Sequence, residues 1–158
     1  MIAIIDYGVG NLFSLKSSFA AIGAEAVVTD DKEVIARADK IILPGVGAFG
    51  DAAEKLKKSG LADVIPKELK IPHIGWNALH FGQKKHSLFR YLEEGDHVYF
   101  VHSFYGANCA ESVIATAEYG AELTAAVASG NVYGCQFHPE KSGNVGLNIL
   151  RAFCEKEA

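Results

Sequence analysis

Met1-Ile2-Ala3-Ile4-Ile5-Asp6, followed by Leu12, Leu15, Phe19 and Ile22 at helical spacing, is the stretch that decides the fold. The first run is apolar and rich in β-branched residues, as a buried strand requires. The second is one face of a helix that Gly23 suits to stop. Ala26-Val27-Val28-Thr29 reads as a second strand, Asp31 is placed to cap a helix over Lys32–Ala38, and Lys40-Ile41-Ile42-Leu43 reads as a third strand. Continuous apolar strands alternating with amphipathic helices predict an α/β fold with a mostly parallel sheet covered on both faces.

Beyond the loop Pro44–Gly50, Asp51 is placed to cap a helix through Leu56, and Leu61–Lys67 supplies another turn or two. From Leu69 to Arg90 no strand pattern is visible among the Pro, Gly, His and aromatic residues, and a long irregular excursion is expected. Val98–Ser103, Ser112–Ala117, Leu123–Ala128 and Val132–Phe137 then read as strands, with Ser129-Gly130-Asn131 as a hairpin turn. Antiparallel pairing is expected in this C-terminal half. Leu147, Leu150 and Phe153 form a closing helical stripe, and Glu155–Ala158 a polar tail.

The chain's 158 residues suit one domain spanning 1–158, and 49% apolar with 22% charged residues is the balance of a folded globular chain. A net charge of -4 offers no broad cationic surface, so nucleic-acid binding is excluded as a main role. Met1–Ile5 is too short to cross a membrane and has no basic segment before it, so a cytoplasmic protein without membrane contact is expected. Cys109, Cys135 and Cys154 form no CxxC pair, which points away from a disulfide framework or a structural zinc.

The loop Pro44-Gly45-Val46-Gly47-Ala48-Phe49-Gly50 spells GxGxxG between a strand and a helix. It follows the third strand rather than the first, and no ribose-binding acid follows at the right distance, which weakens a dinucleotide reading. Gly45 and Gly47 would equally let backbone N–H groups meet a developing oxyanion, or form an ordinary turn. His138-Pro139-Glu140 sets an imidazole and a carboxylate just after a strand. A histidine ordered by an acid is the base half of a Cys-His or Ser-His machine, and a solvated polar turn is the alternative.

No glycine-flanked cysteine elbow accompanies that pair. Strand alternation turns Cys135 away from Gln136 and is expected to bury it as a packing residue. Cys109 and Cys154 lack glycine flanks and read as inert. His73, Trp76, Asn77 and His80 gather in the irregular middle and His102 ends a strand, but they lack the paired spacing of metal ligands, and no metal or other cofactor is implied. Trp76 reads as an interface anchor or a core plug.

Five segments resemble the class I glutamine amidotransferase family, in the branch that forms the glutaminase subunit of imidazole glycerol phosphate synthase. They are Asp6-Tyr7-Gly8-Val9-Gly10-Asn11, Leu43-Pro44-Gly45-Val46-Gly47-Ala48-Phe49, Pro72-His73-Ile74-Gly75-Trp76-Asn77, Phe100-Val101-His102-Ser103 and Gln136-Phe137-His138-Pro139-Glu140-Lys141-Ser142-Gly143. The resemblance implies a three-layer fold and a Cys-His-Glu glutaminase that releases glutamate and ammonia. It implies that His138 shuttles the proton, Glu140 orients His138, and Gly45, Val46 and Gly47 serve the oxyanion. Ser103 and Phe104 match positions lining the glutamine pocket. It further implies a heterodimer with a (β/α)₈-barrel cyclase, faced by Asn11, Trp76, Asn77, Tyr99 and Lys141, in histidine biosynthesis.

One departure from the family is large. The family carries a strand, a GxCxG elbow and a helix between the segments represented here by Leu61–Lys67 and Leu69–Asn77, and this chain has no such block. The nucleophile, the donor after it and further glutamine-binding residues go with it. Removing a central strand would cost more than a domain's net stability of about 5–15 kcal/mol unless neighbouring strands re-pair. Three readings follow from the resemblance and this departure: an amidotransferase subunit with impaired or absent glutaminase activity, a non-catalytic module that docks on the cyclase, and a rewired thiol enzyme using Cys135 or Cys109.

Overall fold

The computed structural model describes residues 1–155 apart from Tyr7, Val9, 46–72, Gln83, Ala107 and Asn108. The expected helices at Asp51–Leu56 and Leu61–Lys67 lie outside these residues. The chain divides into two compact units, the first built from the N-terminal segment, 86–93 and the C-terminal segment, the second from the two central stretches between them.

In the first unit β1 (Ile2–Ile5) is flanked by β2 (Ala26–Thr29) and β3 (Lys40–Ile42), all parallel, with Ile2 opposite both Ala26 and Lys40. Ile2, Ala3 and Ile4 are all buried, so both faces of the central strand are covered, as its unbroken apolar run requires. Between β1 and β2, α1 (Leu12–Ala21) starts where Asn11 Oδ1 accepts the Ser14 N–H, and it turns Leu15 and Phe19 into a core shared with Ile2, Ile4 and Leu150. The short α2 (Lys32–Ala36) is capped by Asp31 as expected, its Oδ1 accepting the Glu33 N–H at 2.8 Å.

The C-terminal helix α3 (Gly143–Glu155) completes this unit. Its buried residues are Gly146, Ile149, Leu150 and Ala152, whereas Leu147 and Phe153 are only half-buried. The expected stripe is therefore rotated, because Gly146 brings the helix backbone against the Pro139 carbonyl and fixes which side faces inward.

In the second unit the expectation of an irregular stretch from Leu69 to Arg90 is corrected by β4 (His73–Ala78), which pairs antiparallel with β5 (His97–His102) in full register from His73 opposite His102 to Ala78 opposite His97. His, Gly and Asn are poor strand formers by composition, and here the cross-strand partner decides. Val98 and Phe100 turn inward on the face of His73, Gly75 and Asn77, while Ile74, Trp76 and Val101 face out. The antiparallel sheet β6 (Val113–Glu118), β7 (Glu122–Ser129) and β8 (Val132–Cys135) follows, with β7 in the middle and Gly130-Asn131 as the tight turn. The last strand is two residues shorter than expected. His80 joins the two sheets of this unit, exchanging backbone hydrogen bonds with Thr116 at 2.8 and 2.9 Å.

Candidate active site

Among the described residues, the end of β5 gathers a group of chemically capable side chains. His73 is 5% exposed, its ring stacked on Tyr119 at 4.0 Å and on Phe100 at 4.9 Å between centroids. Its Nδ1 lies 3.0 Å from His102 Nε2, and His102 Nδ1 lies 3.0 Å from the Phe104 carbonyl oxygen. A carbonyl only accepts, so His102 carries its proton on Nδ1. A neutral His102 then offers a bare Nε2, and His73 donates to it from Nδ1. This leaves His73 Nε2 as a buried acceptor without a partner.

Both rings are held below the ordinary imidazole range. For His73 burial is the main cause, the neighbouring His102 adds to it, and the Asn77 amide opposes it. For His102 burial again leads, the Phe104 carbonyl opposes it, and His138 adds to the lowering. His138 therefore sits within electrostatic reach of His102, and its backbone N–H donates to the Tyr99 carbonyl at 2.9 Å. Ser103 follows directly; its Oγ is buried and also without a partner, while the Phe104 side chain is exposed.

The remaining expected residues are more widely distributed. Glu140 lies half-buried in the 3-10 turn Pro139–Lys141 that precedes α3, in the first unit, whereas His138 ends the second. Lys141 is exposed on the same turn. Gly45 is exposed just past Pro44, and Val46 and Gly47 lie outside the described residues. Pro44 is buried beside Gly10, whose φ of +114° and lack of a side chain are both needed, since a β-carbon there would come within 2.8 Å of the proline ring.

Asn11 is the N-cap of α1, a structural duty. Trp76 is 53% exposed and is no core plug; it lies opposite Tyr99 across β4 and β5, with the rings edge to face at 6.0 Å. Asn77 points to the other face, where Nδ2 donates to the Glu118 carbonyl at 2.6 Å. The expectation that Cys135 is buried is corrected, because β8 is the outer strand of its sheet and leaves the residue exposed. Burial pushes the Cys154 thiol up, and Cys109 is half-buried with its sulfur 3.7 Å from Thr124 Oγ1.

The His73–His102 pair is what sequence reading missed. Both histidines were visible as residues, but only the register of β4 against β5 brings them together. A separate cleft of about 290 Å³, lined by His80, Thr116, Ala117, Glu118, Ala121 and Glu122, contains none of the residues implied by the family resemblance.

Comparison with known proteins gives this arrangement its context. The family profile of class-I glutamine amidotransferases matches residues 58–156. The chain is 38% identical over 198 aligned positions to imidazole glycerol phosphate synthase subunit HisH of Methanothermobacter thermautotrophicus, covering 98% of each chain. It is 40% identical over 205 positions to the same subunit of Geobacter sulfurreducens, again covering 98% of both. Its fold superposes on the PurLQS structure from Thermotoga maritima with a TM-score of 0.64 at 18% identity, over 97% of this chain and 96% of that one. With more than half its length matched by the profile and nearly all of it aligned to relatives at more than a third identity, the chain belongs to the class I glutamine amidotransferase family.

Proposed function

We propose that this chain is the amidotransferase subunit of imidazole glycerol phosphate synthase and that its own glutaminase activity is impaired or absent. In this reading glutamine would lie against Ser103 and Phe104, His138 would move the proton, Glu140 would orient His138, and Gly45, Val46 and Gly47 would support the oxyanion. A single amidotransferase domain of 1–158 and a cytoplasmic heterodimer with the (β/α)₈-barrel cyclase belong to the same reading. Asn11, Trp76, Asn77, Tyr99 and Lys141 would meet the barrel. The cyclase, acting as a lyase, would consume the ammonia. No helix among the described residues is long and apolar enough to cross a membrane.

One observation supports both the identity and the impairment. An alignment of 198 positions against a chain of 158 residues leaves at least 40 positions of the relative opposite no residue, even though the ends of both chains are covered. A shortfall of that size matches what the missing strand, cysteine elbow and helix would occupy. Without the covalent nucleophile, catalysis falls back on binding and oxyanion stabilisation, a loss on the order of 10⁴–10⁶-fold. The test is glutamate release from glutamine by the chain mixed with its barrel cyclase. Background-level release together with complex formation supports the reading, and turnover like that of an intact amidotransferase overturns the impairment.

The second reading, a non-catalytic docking module, is favoured by the outward face of β4 and β5. Ile74, Trp76 and Val101 expose apolar surface there beside Tyr99. Exposed aromatics of this kind supply much of the energy at interfaces. Calorimetric titration with the cyclase separates the readings: binding without glutaminase activity selects the module, and no binding removes it.

A further inference from the structure

We infer that His73 is a positioning residue, which by donating Nδ1–H to His102 Nε2 reinforces the Nδ1–H form of His102 that holds the Phe104 carbonyl, thereby setting the Ser103–Phe104 segment. The inference rests on the reading above only where it takes that segment as the wall for glutamine. The chain of contacts is His73 Nδ1 to His102 Nε2 at 3.0 Å, then His102 Nδ1 to Phe104 O at 3.0 Å. His73 itself cannot swing, because Phe100 and Tyr119 stack on it at interplanar angles of 17° and 11°.

The same geometry rejects an added proton. If His73 is protonated, its buried Nε2 becomes a donor, and Nε2 has no hydrogen-bond partner in the structure. If His102 is protonated, both its nitrogens donate, His73 must accept on Nδ1, and its own proton moves to the same orphaned Nε2. Either way a buried N–H is left without a hydrogen-bond partner, which disfavours the added proton, the more so on a charged ring. The groups facing the pair are Asn77 on β4, Tyr119 between β6 and β7, and His138 after β8. Asn77 favours the protonated ring, since donating Nδ2 to the Glu118 carbonyl leaves its own amide oxygen able to accept, but burial and the neighbouring His102 outweigh it. The pair is therefore a neutral, directional strut, with both rings in the Nδ1–H form.

The experiment is ¹⁵N imidazole NMR on the full chain at neutral pH, comparing the wild type with His73→Phe, which keeps the stacking and removes the donor, and with His73→Asn, which keeps an amide donor near the position of Nδ1. The wild type is expected to show a bare Nε2 and a protonated Nδ1 on His102. In His73→Phe the two His102 resonances should shift toward an averaged mixture of tautomers, and the Ser103–Tyr105 amide resonances should be displaced. His73→Asn should restore the Nδ1–H form. A packing role alone would change stability and leave the tautomer untouched. A wild-type His102 protonated on Nε2, or no tautomer change in His73→Phe, overturns the inference. Adding glutamine separates the underlying reading: if the tautomer responds to His73 but glutamine leaves the Ser103 and Phe104 amides unmoved, positioning of the segment stands and its assignment to the glutamine wall falls.

Discussion

Gly146 lies so close to Pro139 that a β-carbon on the glycine would come within 1.9 Å of the proline carbonyl oxygen. The turn carrying Glu140 and the first turns of α3 are therefore pressed together backbone to backbone, and Ser142, 1% exposed, links them through its carbonyl to the Gly146 N–H at 3.1 Å. Replacing the glycine forces the helix away from the turn. Gly146→Ala is expected to cost about 3 kcal/mol, at the upper end for overpacking. Chemical denaturation measures this, and a midpoint like that of the wild type would show that the contact is not tight in solution.

Acid should weaken the fold through the histidine pair. Both His73 and His102 titrate below the ordinary value in the folded chain, so the unfolded chain binds protons first as the pH falls. The stability is complete above the unfolded value near 6.5 and is lost as the pH falls from there toward the lowered folded values. His73→Phe removes one of the two groups and an unsatisfied buried nitrogen, so its unfolding free energy should fall less between pH 7 and 5. Parallel pH profiles for the two proteins would contradict this.

Substitutions in the residues proposed for catalysis should be nearly silent. Groups that act as a unit lose their effect once one of them is gone. His138→Ala is expected to leave the residual glutaminase rate within about threefold of the unmodified chain, in keeping with that non-additivity. A further hundredfold fall would mean that His138 serves another nucleophile, and the thiol enzyme reading would return.

Trp76→Ala tests the exposed face of β4 and β5. Half the indole is already in water, so the fold should lose little, whereas affinity for the barrel cyclase should fall by about 2 kcal/mol, or roughly 30-fold, as for an aromatic hot spot. Paired measurements of melting and calorimetric affinity check it. Equal affinities would move the docking surface elsewhere.

The first unit was legible because its strands are short runs dominated by Ile, Val and Ala, Leu12, Leu15 and Phe19 recur at helical spacing, and Asp31 stands ready to cap α2. Such signals are local. β4 was not legible, since His-Ile-Gly-Trp-Asn-Ala has little strand preference and becomes a strand by pairing with 97–102. That pairing alone joins His73 to His102, 29 residues apart in sequence, so the imidazole strut could not be read in advance. Cys135 was misjudged because alternation gives a side and says nothing of whether a strand lies at the sheet's margin. Spacing left His138 and Glu140 open between a catalytic pair and a polar turn, and only the resemblance assigns them roles.

The reciprocal hydrogen bonds between His80 and Thr116 have a consequence for cooperativity. They join a two-stranded and a three-stranded sheet at one residue pair, and the Asn77 amide adds a second tie through the Glu118 carbonyl. Neither sheet can open at this junction without exposing backbone groups of the other. Amide protons of His80 and Thr116 should therefore exchange with deuterium at the same rate, so that two sheets with no continuous ladder between them unfold as a single event.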